Sequence, residues 1–259
     1  MTDLLFQTTG FTSNRTDLPV TQNITDILTT TKYELDSYGH WVFYDENPLV
    51  DKVNAHTLTL QSGAAIQPVY SNAGVELTNA KGSALMSSLV DAAATNITAV
   101  FVVKTSGTAL SLFGMTLPTT GSTTDNGFGP YASADKVYLN MKPLIASSVG
   151  NISGLTTNKN ISQTTPFLVA VSVDKTNRTA MLYTFKAGTD AFVSSAFTAP
   201  YDDSSKVLAV GNAYYKQVEN GARTTFAEAI LYNKALSLNE LKAVALRCRA
   251  RLALKNILI

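Results

Sequence analysis

The chain has 259 residues and a formal net charge of +1, so no global field draws it to nucleic acid or to an acidic membrane. Its hydrophobic fraction of 45% is enough for one sizeable core, and a single β domain can run to about 200–250 residues. Only 15% of residues are charged, and Thr, Ser and Asn fill the gap, a composition for strands and tight turns more than for surface helices.

The lone Cys248 excludes an internal disulfide and a multi-cysteine zinc site. The opening Met1-Thr-Asp-Leu-Leu-Phe-Gln has no basic stretch leading into a long apolar one, so no signal peptide is expected and the chain is expected to be made in a cytoplasm. No run approaches the roughly 18 apolar residues of a membrane helix. Sequons at Asn14, Asn23, Asn96, Asn151, Asn160 and Asn177 are read as chance products of a Thr/Ser/Asn-rich chain.

Residues 1–36 form a polar, Thr-rich leader or attachment arm, with a short helix expected around Gln22–Leu28. Strands then follow. His40-Trp-Val-Phe-Tyr and His56-Thr-Leu-Thr-Leu alternate, and Ile97–Val103 is apolar on both faces, which marks a strand central in a sandwich. Further strands are predicted over Ala109–Phe113, Val137–Met141, Phe167–Val173, Thr179–Phe185, Val207–Gly211 and Thr225–Tyr232. Asp174-Lys-Thr-Asn-Arg is a hairpin turn, and Pro118–Pro130 reads as loop. Ser237-Leu-Asn-Glu240 is a capping box opening a helix with Leu238, Leu241, Val244, Ala245, Cys248 and Leu252 along one stripe. The predicted class is all-β: a two-sheet antiparallel sandwich over residues 37–259 with one C-terminal α-helix.

Three segments resemble the concanavalin A-like lectin/glucanase superfamily, specifically its laminin G-like modules. They are Tyr38–Asp45 with Val50-Asp-Lys-Val-Asn-Ala-His-Thr-Leu-Thr-Leu, then Phe167–Tyr183, then Phe226-Ala-Glu-Ala-Ile-Leu-Tyr-Asn-Lys-Ala-Leu-Ser-Leu-Asn-Glu-Leu. In the second, Thr184-Phe-Lys-Ala-Gly departs from the family's short hairpin ending. The resemblance covers about Tyr38 to Ile259 and implies a jelly roll.

Hydrolases of that superfamily carry same-face carboxylates on a strand, about 5–5.5 Å apart for a retaining mechanism. Here only Glu34 and Asp36 share an i, i+2 spacing, and they precede the first firm strand. Glu228 falls at the structural "A-E" position of the family pattern and Glu240 belongs to the cap. His40 and His56, the two histidines, begin strands, Cys248 lies on the apolar stripe, and no phosphate-binding loop is present. No catalytic residue, metal site or cofactor is assigned. The Asp125-Asn126 and Asp202-Asp203 pairs, the loop clusters that could serve calcium, are read as solvated turns.

Loops rich in aromatics and amides are the natural place for a sugar, and they nominate Asn126, Phe128, Tyr131, Asn212, Tyr214 and Tyr215 as ligand-binding, with gap-filling at sheet edges as the alternative. Arg247, Arg249, Arg251 and Lys255 crowd the end of the helix, either as complement to its dipole on a solvated face or as a dock for an acidic partner. Signal-less, Thr/Asn/Ser-rich laminin G-like modules behind a polar leader resemble bacteriophage virion proteins. The expected function is therefore a non-catalytic structural or adhesion protein of a tail, fibre or capsid decoration. Its expected partners are other virion proteins, copies of itself through Leu4, Leu5 and Phe6, and a host-surface glycan, with neither nucleic acid nor membrane. The alternative is a free lectin-like domain or a degenerate glycan hydrolase.

Overall fold

The computed structural model describes residues 33–259 except 65, 81, 106–108, 116–126, 134–135, 143–154, 158–163, 198–200, 202, 204 and 215–219. The expected leader helix, the Leu4-Leu5-Phe6 contact, Asp125, Asn126, Asp202 and Tyr215 lie outside the described residues. The strands are β1 (Gly39–Val42), β2 (Thr59–Leu60), β3 (Val69–Ser71), β4 (Gly74–Thr78), β5 (Ser83–Val90), β6 (Ile97–Thr105), β7 (Leu110–Ser111) and β8 (Phe113–Gly114). They continue as β9 (Gly127–Ser133), β10 (Lys136–Lys142), β11 (Leu155–Thr157), β12 (Phe167–Asp174), β13 (Thr179–Lys186), β14 (Thr189–Ala196), β15 (Val207–Asn212) and β16 (Arg223–Tyr232), before helix α1 (Leu238–Ala253).

The large sheet runs β14-β13-β12-β6-β16-β4-β3, with β1 also on β16. Opposite it lie two smaller sheets, β11-β10-β9-β7 and β2-β5-β15-β8. The segment Leu110–Met115 joins these two: Leu112 N–H donates to the Pro130 carbonyl at 3.1 Å, and the Leu112 carbonyl accepts from Gly211 N–H at 2.8 Å. The pairings are antiparallel, and the architecture is the sandwich with one C-terminal helix that the periodicity predicts.

β6 shows why its sequence is apolar throughout. Ile97, Ala99, Phe101 and Val103 face the smaller sheets, while Val100 and Val102 lie beneath α1. β12 divides likewise, with Phe167, Val169, Val171 and Val173 inward and Leu168 and Ala170 under the helix. Leu241, Val244, Ala245, Cys248 and Leu252 form the buried stripe of α1. Each fully buried aliphatic side chain contributes about 1.5–3 kcal/mol, so the stripe docks the helix firmly. The capping box is complete: Glu240 N–H donates to Ser237 Oγ, and Ser237 N–H donates to Glu240 Oε2 at 2.7 Å.

Two expectations change. The loop expected to reach Pro130 ends earlier, because β9 begins at Gly127 and pairs with β10 along seven residues each. Pro130 has no N–H to give, but its carbonyl serves Leu112, so the strand tolerates it. Besides β9, the unexpected strands are β3, β4, β5, β11 and β14. No helix among the described residues is long and apolar enough to cross a membrane.

Candidate functional site

The chemistry-bearing side chains gather first around α1. A register shift between Phe226 and Glu228 marks a β-bulge in β16, so that Phe226 and Ala229 face the inner core while Ala227 lies under the helix. The extra residue turns Glu228 toward α1 rather than into the dry inter-sheet core. There Arg251 Nη2 donates to Glu228 Oε2 at 3.0 Å and Arg251 Nη1 to Glu34 Oε1 at 2.8 Å. Arg247 Nη2 donates to Glu34 Oε2 at 2.6 Å, Tyr44 Oη to Glu228 Oε1 at 2.8 Å and Tyr232 Oη to Glu34 Oε2 at 3.2 Å. His40 Nδ1 accepts Glu34 N–H at 3.1 Å, which leaves the proton on Nε2, 3.6 Å from Glu228 Oε2.

Glu34 and Glu228 are 2% and 1% exposed. Burial pushes both carboxyls up, but the Arg247 and Arg251 guanidiniums outweigh it at Glu34 and hold that group low. At Glu228 burial is likewise outweighed, by the neighbouring His40 ring N–H and the Arg251 charge, and the carboxyl is held at about 2. Buried, ionised and saturated with donors, neither is available as a general acid or as a nucleophile for a bound sugar. Arg247 and Arg251 correct the reading of a solvated basic face: both point into this network. The network also binds Glu34 to the sandwich, so a division at residue 36 cuts through it.

The four described residues of the sequence-nominated ligand set, Phe128, Tyr131, Asn212 and Tyr214, do not converge on an open surface. Phe128 is 0% exposed and belongs to the inter-sheet core, so its ring is not free to stack on a sugar. Asn212 is buried, and its amide donates to Asn79 Oδ1 at 3.2 Å. Tyr214 is half-buried; its hydroxyl donates to the Val207 carbonyl at 2.9 Å, and burial pushes its pKa up to about 12. Tyr131 is half-buried and stacks across the β9–β10 pair on Tyr138, with centroids 4.9 Å apart and rings 12° from parallel. Phe128 and Tyr214 are thus packing residues, as the gap-filling alternative has it, although Phe128 fills the core rather than a sheet edge, while Tyr131 keeps part of its ring in solvent.

Among the described residues no three His, Cys, Asp or Glu side chains converge as a metal site needs. One oxygen cage is filled by a lysine instead. Lys175 Nζ donates to the carbonyls of Asp91 at 2.6 Å and Ala94 at 2.9 Å, and lies 2.9 Å from Asp91 Oδ1 and 2.7 Å from Asp203 Oδ1. Asp51 is a turn organiser: its carboxylate accepts from the N–H groups of Val53, Asn54 and His56.

The open site lies elsewhere, where two strands share one edge of β16. Residues Glu228–Leu231 pair with β1 and Arg223–Phe226 with β4, so the changeover falls at Ala227. Phe43 N–H donates to the Ala227 carbonyl at 3.0 Å as the outgoing chain leaves the sheet. Gly74 enters from the other side at φ +129°, and a Cβ there would collide with the Phe226 carbonyl, so close entry of β4 requires glycine. The segment 43–50 and the β3–β4 hairpin diverge from this point and leave a groove of about 720 Å³.

Phe43, Pro48, Leu49 and Val50 supply the apolar part of its lining, Tyr70 is 45% exposed at its rim, and the polar part comes from Asp45, Glu46, Asn47, Ser71 and Asn72 with Tyr44. Lys52 Nζ lies 3.5 Å from Asp45 Oδ2 and donates to the Glu46 carbonyl at 2.7 Å. The Lys255 ammonium lies 5.8 Å from the centroid of the Tyr44 ring. An exposed ring beside amides and carboxylates can stack on the C–H face of a sugar and hydrogen-bond its hydroxyls. Sequence reasoning missed this groove. Its signals are Tyr70 and Asn72 beside Pro68 and Gly74, and Asn47-Pro48 after an aromatic strand, but nothing local says the two stretches meet.

No family model and no curated protein sequence matches the chain. Among solved structures it is similar to the binding domain of botulinum neurotoxin serotype G, at 12% identity and a TM-score of 0.57, over 83% of this chain and 51% of that one. The likeness is one of fold. A Trypanosoma rangeli sialidase in complex with 2,3-difluoro-KDN gives the same TM-score of 0.57 at 12% identity, over 84% of this chain and 33% of that one. The serotype D ligand-binding domain, in complex with N-acetylneuraminic acid, gives 0.53 at 10% identity, over 83% and 52%. The chain thus spans about half the length of the toxin domains and a third of the sialidase.

Proposed function

We propose that this chain is a non-catalytic, glycan-contacting structural module of a bacteriophage particle, and that the groove beside Tyr70 is where the glycan lies. The groove carries the reading: about 720 Å³ falls within the roughly 300–1,000 Å³ of small-ligand sites, with one exposed ring and several polar groups along it. The neighbours of like fold include a binding domain in complex with N-acetylneuraminic acid, which supports a sugar as the ligand class. The non-catalytic part is supported by what occupies the carboxylates, since Glu34 and Glu228 are buried and bound by arginines. The virion placement is supported by sequence: the resemblance to laminin G-like modules, the low charge and the Thr/Ser/Asn-rich composition.

Two measurements test it. Proximity cross-linking and mass spectrometry on intact particles should find this chain linked to other virion proteins; its absence from purified particles would remove the virion role. Incubating the protein with capsule polysaccharide or lipopolysaccharide should release no reducing ends above buffer, and release abolished by Glu228→Gln would show an enzyme.

A further inference from the structure

We infer that the groove selects uncharged sugars and rejects sialylated ones. This rests on reading the groove as a glycan site and names the class of glycan. Among the described residues its lining carries two carboxylates, Asp45 and Glu46, and no arginine. The cation bonded to this lining among the described residues is Lys52, and it is spent: it neutralises Asp45 and donates to the Glu46 carbonyl. Lys255 is held over the Tyr44 ring and is not part of the lining. Glu46 is exposed, and among the described residues its carboxylate has no partner. The described lining, with Lys52 paired to Asp45, therefore carries a net negative charge at Glu46.

The unspent groups fit hydroxyls. The side-chain amides of Asn47 and Asn72 have no bond among the described residues, and both residues are exposed. Asn47 holds its place on a left-handed turn at φ +53°, which Asn tolerates better than most residues. A sugar hydroxyl can donate to the Glu46 carboxylate in a charge-assisted bond and accept from either amide, while its ring rests on Tyr70. A sialyl carboxylate in the same place meets Glu46 with no guanidinium to offset it. Like charges juxtaposed at an interface weaken binding on the order of tenfold or more. Neighbours that share only the fold need not share the sugar, because specificity lies in the loops and not in the sheets.

The test is an array of oligosaccharides printed in pairs, each neutral glycan beside its sialic acid-capped form, probed with the wild-type chain and with Tyr70→Ala, Tyr70→Phe and Glu46→Lys. Neutral glycans should bind at least tenfold more tightly than their capped partners. Tyr70→Ala should lose that binding by about tenfold, Tyr70→Phe should keep it, and Glu46→Lys should narrow the gap between the pair members. Thermal melts confirm that each variant is folded, as expected for side chains at the rim. Capped glycans bound as tightly as neutral ones, and lost in Tyr70→Ala, would overturn the charge selection while leaving the groove a glycan site. Sugar binding indifferent to both positions would move the site elsewhere. Silence across the array would overturn the glycan reading itself.

Discussion

Arg251 Nη2 lies 3.0 Å from Glu228 Oε2, and this contact fixes where α1 rests on the large sheet. It exists because the bulge at Ala227 turns the carboxylate to the helix side, where Arg251 also reaches Glu34. Removing Arg251 takes the guanidinium from buried Glu228, which keeps the Tyr44 hydroxyl and the nearby His40 ring, while Glu34 keeps Arg247. Arg251→Met, which keeps the aliphatic stem, should therefore destabilise by about 3–5 kcal/mol in urea melts. A loss near zero would mean that the network contributes no net stability.

The same network sets an acid limit. Glu34 and Glu228 are both held below the ordinary carboxylate range, Glu228 at about 2. A depressed carboxyl contributes fully above its unfolded value, about 4.3, and the contribution fades as pH falls toward the folded one. The stability difference between wild type and Glu228→Gln should be constant from neutral pH to about 5, then shrink between about 4.5 and 2. A difference that stays constant through that window would refute the linkage.

At the other end of α1 the cap and the stripe differ in worth. Ser237→Ala loses an exposed N-cap and should cost about 0.5–2 kcal/mol. Leu241→Ala opens a hole beneath the helix and should cost about 2–5 kcal/mol. Denaturant melts that rank the two in the opposite order would mean that the helix is held by its cap rather than by its packing.

Both of these features are legible in the sequence, because the signals are local: Ser237 and Glu240 are three residues apart, and the stripe repeats at helical spacing. The apolar faces of β6 and β12 are legible for the same reason. β14 was not, since an edge strand reading Thr-Asp-Ala-Phe-Val-Ser-Ser-Ala is largely exposed or half-buried and lacks an apolar face. β5 was hidden by Ser87 and Ser88, although Ser87 is satisfied in place by donating to the Leu208 carbonyl at 2.6 Å. The ion network and the groove join residues too far apart for any window: Glu34 and Arg251 are separated by 217 positions. Polar loops with aromatics suggested a site at Phe128 and Asn212, but tertiary packing had claimed both.

The lysine cage gives a contrast between buried and exposed charge. Lys175 is 9% exposed and faces Asp91, which is wholly buried, whereas the Lys242–Asp190 pair is 45% and 34% exposed. Lys175→Met should destabilise by about 3–5 kcal/mol, because the wholly buried Asp91 carboxylate would lose its ammonium and keep a bond from the uncharged Tyr201 hydroxyl. Lys242→Met should change stability by no more than about 1 kcal/mol. If calcium partly restores the melting temperature of Lys175→Ala and leaves wild type unmoved, the oxygens around Lys175 form a cation cage that the ammonium fills. Equal losses for Lys175→Met and Lys242→Met would show that the cage is no stronger than a surface pair.

The start of the chain can be divided by two truncations. A chain beginning at Lys32 keeps Glu34, and with it the hydrogen bonds from Arg247, Arg251 and Tyr232. It should retain the β spectrum and melt cooperatively, because the sandwich keeps its core and its ion network. A chain beginning at Ser37 loses Glu34, which takes the carboxylate from Arg247 and leaves Arg251 with Glu228. It should be less stable by about 3–5 kcal/mol. If residues before Lys32 carry assembly through Leu4, Leu5 and Phe6, the longer truncated chain will fold as the full chain does and yet scatter light as a smaller particle. Equal masses for the full chain and the Lys32 chain would refute that role. Equal stabilities for the two truncations would show that Glu34 is a passenger in the network, and an unfolded Lys32 chain would place the leader inside the core.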